Sequence, residues 1–387
     1  MIGEQLTHAA RGEVVSEVIL VATLRWKVIS TQGRGQHERN LLMTTHRIVL
    51  CWLFLCGISV GQQPREKPME LEALRQYVGD WTTDVTSKPA EWTLRAVRYR
   101  CSNHAEFFPN GWFLQHIEVN HILGEPDKIG KSLFVWAFDP TSRKYVGWSF
   151  QSTGNISKVT GTWDATSNTF IHTDSHPPAS TTGKLTETFV SDDAINGSLA
   201  FTRNDGLKLF DMVWTRTRQK NVAPNMVRDQ WARIGTPIQP IPDEVKKLEP
   251  FVGARDVEFI HRPSISVPEG SKAMTVTTGE WILDGRFVLA RTGVGDKQSF
   301  FVAGYDSNKG GFRYVRFGFH GEVEENFGQW NEASRSFEWK GVGEATGLTR
   351  TSTSRILNNG AIETHIVTRT RDGEVQMDLT IKSSPRK

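Results

Sequence analysis

His172, Asp174 and His176 stand at alternate positions of one short run, and alternate residues of a β-strand share a face. Two imidazoles and a carboxylate on one face are competent donors for zinc. Pro177-Pro178 follows at once, so the same residues also read as a polar strand running out into a loop. The polar-strand reading is adopted, and no metal is expected. Glu106 and Glu280 are acidic residues in apolar company, flanked by Phe107-Phe108 and Trp281-Ile282. A carboxylate buried there would have a raised pKa and could orient a ligand or move a proton. Alternation, however, turns Glu106 away from Phe107, so a core-facing Phe107 leaves the glutamate on the solvent side.

The chain has 13 tryptophans, of which Trp136, Trp148, Trp163 and Trp214 fall in strand-like runs. They suit the wall of a cavity for a flat or apolar ligand, and they also suit a well-packed core. With Glu106 and Glu280 they are the expected ligand contacts. His104, His116 and His121 cluster in the first copy and are of the type that ligates haem, but no haem-attachment motif accompanies them, and no cofactor is expected. Neither a phosphate-cradling glycine loop nor a local Ser/His/Asp or Cys/His signature is present. The inventory favours binding over catalysis.

What positions these residues is a domain-sized repeat. Leu71, Leu74, Val78 and Gly79 return as Val245, Leu248, Val252 and Gly253. Gly161 and Trp163 return as Gly328 and Trp330, and Asp205-Gly206 as Asp372-Gly373. Each copy opens with a short amphipathic helix, its apolar residues at i, i+3 and i+7, and Asp243 is a candidate N-cap in the second. Some ten short runs of strand character follow in each copy, separated by turn signals such as Asn204-Asp205-Gly206. Consecutive hairpins without helical interludes predict an all-β protein of two tandem antiparallel barrels, which removes exposed sheet edges. The repeats span 70–218 and 243–384, joined by a proline-containing linker at 219–242 that anchors Trp231 and allows the repeats to pack together. Few candidate ligand residues survive in both copies: His172, Asp174 and His176 become Trp339, Gly341 and Gly343.

The opening Leu74–Trp81 run, the Trp281-Ile-Leu-Asp284-Gly285-Arg286-Phe287-Val288 run, the Gly304-Tyr305-Asp306 turn and the Gly161-Thr-Trp163-Asp164 strand resemble the secreted bacterial family of domain of unknown function 1579. The resemblance implies calycin-like, or lipocalin-like, barrels and no activity.

Formal charge is +3, from 46 basic and 43 acidic residues, which argues against nucleic acid as a partner. The apolar run Ile48–Val60 after Arg47 has the layout of a secretory signal at 43–61, so that 1–42 reads as a start-site artefact or disordered extension. No membrane span is expected after cleavage, and Cys101 would be left without a disulfide partner. The expectation is a secreted or periplasmic protein that holds a small, partly apolar ligand, with a filled structural or interaction module as the alternative and a hydrolase-type enzyme as the third.

Overall fold

A computed structural model of the chain describes residues 66–123, 129–174, 181–220, 225–235, 237, 239–307, 309–343 and 347–386. The signal segment 43–61, the extension before it, and His176 lie outside the described residues. The first barrel closes from β1 (Gly79–Ser87), β2 (Arg98–Phe107), β3 (Leu114–Ile122), β4 (Ile129–Asp139), β5 (Lys144–Gln151), β6 (Ile156–Asp164), β7 (Thr169–Asp174), β8 (Thr181–Ser191), β9 (Ala194–Arg203) and β10 (Lys208–Arg218). The second runs from β11 (Gly253–Arg262) to β20 (Val375–Pro385). In both, every strand pairs antiparallel with its sequence neighbours and the last pairs with the first, so neither barrel has a free edge.

The helices that open each copy differ from the expected α form. Met69–Tyr77 and Asp243–Phe251 are 3-10 helices. In the first, Leu71, Leu74 and Tyr77 are the buried residues, a spacing of three that falls on one face when there are three residues per turn. In the second, Pro250 lies inside the helix, and Asp243 is its first residue rather than its cap; the carboxylate instead takes Lys246 at 2.8 Å. Gly79 and Gly253 follow with φ of 123° and 94°, where a side chain would be strained. The segment between the barrels is also more than a linker. Met226–Ala232 forms a short helix, α1, whose Trp231 is buried and donates to the Ser132 carbonyl at 2.9 Å.

The seam between the barrels is built from repeat-related residues. The turn after β2 and the turn between β12 (Ser271–Ile282) and β13 (Phe287–Thr292) each reach onto the other barrel. Phe113 meets Phe317 at 5.3 Å, and their counterparts Phe287 and Phe150 meet at 5.8 Å. Trp112 packs over Gly321, while its counterpart Arg286 lies 3.1 Å from the place a Cβ would take on Gly154; both glycines have positive φ. Asn110 donates to the Gln298 carbonyl at 3.1 Å, and the matching contact joins the Lys131 ammonium to Asp284 at 2.6 Å. Lys131 and Asp284 are 5% and 1% exposed, and the Gly235 amide donates to the same carboxylate oxygen at 2.9 Å.

Breaking a buried ion pair from one side leaves the other charge unpaired, at about 3–5 kcal/mol. Asp284→Asn is therefore expected to lower unfolding free energy in urea by about that much. The change keeps the shape and tolerates the φ of 59° at this position. Adding Lys131→Met should recover most of the loss, and additive effects in the double-variant cycle would show that the pair is not the rivet described.

Candidate functional site

The first barrel encloses a cavity of about 580 Å3. Its volume follows from the size of inward residues at matched places in the two copies. Gly147, Ser149, Ser157, Val159 and Gly183 line it, where the second barrel carries Tyr314, Arg316, Glu324, Asn326 and Arg350. In the second barrel those groups occupy the interior. The Tyr314 ring lies 5.3 Å from Phe301 and 5.7 Å from Trp339, and Glu324 pairs with Arg350 and, at 3.3 Å, with Arg316. Burial would raise the Glu324 carboxyl, but the two guanidinium groups hold it below its ordinary range.

One end of the cavity is closed by the opening 3-10 helix, from which Tyr77 enters the interior. The Tyr77 hydroxyl donates to Glu187 at 2.7 Å, and the Trp214 indole donates to the same carboxylate at 3.2 Å. Arg216 stands 3.2 Å from Glu187, with both side chains less than a tenth exposed. Burial, then the charge of Glu187, pushes the Tyr77 hydroxyl pKa well up. Glu187 is thus engaged by three donors, while the buried Nε of Arg216 has no hydrogen-bond partner.

A second polar group lines the wall formed by β2 and β3. Cross-strand register brings Cys101 opposite Asn120, Asn103 opposite Glu118 and Ala105 opposite His116, all facing inward. Thr83 donates to the Asn103 carbonyl oxygen at 2.7 Å, and the Asn103 amide donates to Glu118 at 2.6 Å. Burial raises the Glu118 carboxyl pKa, partly countered by Arg216. Burial also keeps His116 neutral, its pKa well below the ordinary value, and its Nε2 has no hydrogen-bond partner. The remaining lining mixes apolar side chains, Val85, Phe134, Leu185, Leu199, Phe201 and Met212, with small or polar ones such as Ser132, Ser149, Gln151 and Ser157.

The residues singled out from the sequence separate into distinct places. Trp136 and Trp214 line the cavity, Trp136 lying flat over Gly147, where a Cβ would collide with its ring. Trp148 borders the cavity along β5, but its ring meets Phe317 of the second barrel at 5.3 Å and carries Lys158 over its face. Its strand register pairs it with Val135, on the outward face, so it belongs to the seam. Trp163 is inside the barrel beneath the cavity, 4.5 Å from Phe170. Glu106 lies on the outer face of β2, where it and His104 receive Arg228 of α1; His104, then Arg228, hold its pKa below the ordinary carboxyl value. Glu280 is half-exposed and pairs with Arg291. Both glutamates follow strand parity, which places them away from the cavity. His104 and His116, opposite in parity, do not converge as haem ligands. His172 points inward, tilted against Trp136 at 4.8 Å and stacked on Phe170 at 5.5 Å. Among the described residues, no three His, Cys, Asp or Glu side chains converge on one point.

The first barrel is therefore a closed antiparallel barrel with an interior cavity, joined to a second barrel of the same topology whose interior is occupied. No family model matches the chain, the family suggested by its motifs included, and no curated protein matches it. Three solved structures are similar at low identity. An S-type phycobiliprotein lyase from Guillardia theta has 11% identity and a TM-score of 0.31 over 39% of this chain and 93% of its own. Rv2717c of M. tuberculosis has 14% identity and a TM-score of 0.32 over 40% of this chain and 100% of its own. A protein of unknown function from the DUF3598 family of Nostoc punctiforme has 11% identity and a TM-score of 0.26, over 82% of this chain and 100% of its own.

Burial lowers the His172 pKa from 6.5 to about 4, against a smaller opposing effect of Glu187. Between these values the unfolded chain takes up a proton that the folded one excludes. Stability is thus present above pH 6.5 and is lost as pH falls toward 4. The slope from this group is at most about 1.4 kcal/mol per pH unit. His172→Phe, which keeps the aromatic stack, is expected to flatten the pH dependence of unfolding in that window relative to the parent chain.

Proposed function

We propose that the chain binds a small, partly apolar molecule inside the first barrel, and that the second barrel is a packed structural partner. The observation that carries this reading is the cavity itself: several hundred Å3 is the range of small-molecule sites, and its apolar walls hold a few convergent polar groups. The contrast with the filled second barrel supports a retained space rather than imperfect packing. A wholly filled interaction module accounts for the second copy but not the first. The apolar run Ile48–Val60 supports the further reading that the protein acts after secretion, in the periplasm or outside the cell. Among the described residues no helix is long and apolar enough to cross a membrane.

N-phenyl-naphthylamine, an apolar dye that brightens in dry sites, should bind saturably to the purified chain. Ser149→Phe places an aromatic ring in the cavity where the second barrel has Arg316, and should weaken dye binding by at least about tenfold, with the melting temperature unchanged or raised. Equal dye binding by the parent and Ser149→Phe, or none by either, overturns the reading.

A further inference from the structure

The charges that line the cavity do not balance. Among its described lining residues there are two carboxylates, Glu118 and Glu187, and one permanent cation, Arg216. Burial holds His116 neutral, so it contributes no compensating charge. Arg216 is paired at one end only: its Nη2 lies 3.2 Å from Glu187, whose other partners are Tyr77 and Trp214, while its Nε has no hydrogen-bond partner. Glu118 is held differently, by hydrogen bonds from the Asn103 amide, 2.6 Å from Oε2, and from Asn120. Asn103 itself is fully buried and fixed by Thr83, so the carboxylate is oriented by a rigid amide, and the charge of Arg216 offsets only part of its burial.

An ionised carboxylate in a low-dielectric interior requires either a proton or an opposite charge. The raised pKa of Glu118 is the signature of the first solution in the empty cavity. A ligand carrying its own cation supplies the second. Beyond Glu118 the cavity offers the faces of Phe134, Phe201, Trp136 and Trp214, which attract a cation through their ring quadrupoles and accept an apolar body. An anionic ligand would face two carboxylates and a guanidinium whose charge is already shared with Glu187.

Resting on the proposal that the first barrel binds a small molecule, we infer that its ligand class is an apolar or aromatic amine, whose ammonium group pairs with Glu118 while its body lies against the tryptophan and phenylalanine walls. The second barrel lacks this capacity, since Thr292 stands at the place of Glu118 and Ala303 at that of Trp136.

Three probes of one body separate the classes: naphthylmethylamine, cationic at neutral pH, naphthylmethanol, neutral, and naphthylacetate, anionic. Calorimetric titration of the full chain at low salt is expected to show the amine binding about tenfold or more tighter than the alcohol, and the acetate weakest. In Glu118→Gln, which preserves a hydrogen-bond acceptor for Asn103, the amine and alcohol affinities should converge. If the alcohol or acetate binds as tightly as the amine, or if the preference survives in Glu118→Gln, the amine assignment is overturned and the cavity reading stands. If none of the three binds at millimolar concentration while N-phenyl-naphthylamine does, the assignment is likewise overturned. If no probe or dye binds, the binding reading itself falls, and the inference with it.

Discussion

Strand β4 is buried on both faces, and the rest of the structure depends on that. Its inward residues Ser132, Phe134 and Trp136 line the cavity, and its outward residues Lys131, Leu133 and Val135 are buried at or near the second barrel. Because side chains alternate, a shift of one residue would exchange the two sets and destroy wall and seam together. The geometry of the binding wall is therefore tied to domain packing. Each fully buried aromatic or aliphatic side chain at the seam, Phe113, Phe150, Phe300, Phe317 and Leu133 among them, contributes about 1.5–3 kcal/mol relative to exposure. A wall backed in this way is stiffer than one facing water, and suits a site that must keep a space open.

The seam also explains the drift of the turn motif between copies. Phe108-Pro109-Asn110-Gly111-Trp112 and Leu283-Asp284-Gly285-Arg286 differ in sequence because they dock on different surfaces, not because one has decayed. Trp112 covers Gly321, whereas Arg286 reaches over Gly154 to the carbonyls of Gln239 and Pro240. The equivalent polar contacts have likewise diverged, one to an amide and carbonyl and the other to a buried ion pair. Pseudo-symmetric placement has been kept while each partner pair was optimised separately.

The two ten-stranded barrels and their opening helices were legible in the sequence because alternation, turn residues and the repeat all agree. The site was legible only in part. Trp136 and Trp214 line the cavity, yet Trp148, three residues after Tyr145 on an equally apolar strand, faces the seam. Strand β5 is buried over nearly its whole length, so hydrophobicity alone does not fix its phase. Glu118 was missed for the same reason: in His116-Ile-Glu118-Val-Asn120 the intervening Ile117 and Val119 are buried too, and the strand reads as apolar with polar interruptions. Comparison of inward positions between copies could have found the cavity. Gly147, Ser149, Ser157 and Gly183 against Tyr314, Arg316, Glu324 and Arg350 is a run of small residues replaced by large ones, visible once strand parity is set. The absence of α-helix at the start of each copy follows from the spacing of three in Leu71, Leu74 and Tyr77, which the i+7 reading through Val78 obscured.

An open barrel interior is expensive to maintain. It forgoes the dispersion contacts of a packed core, and here it also holds two carboxylates against one guanidinium. The second copy has resolved both difficulties within itself, filling its interior with Tyr314 and balancing Glu324 by Arg316 and Arg350. Joined to the first through a buried seam, such a filled barrel supplies packing that the open one lacks. Duplication thus separates two demands that conflict in a single barrel, rigidity and vacancy. The replacement of small inward residues by large and charged ones in the second copy is what that division requires, since a barrel without a cavity packs as a better support.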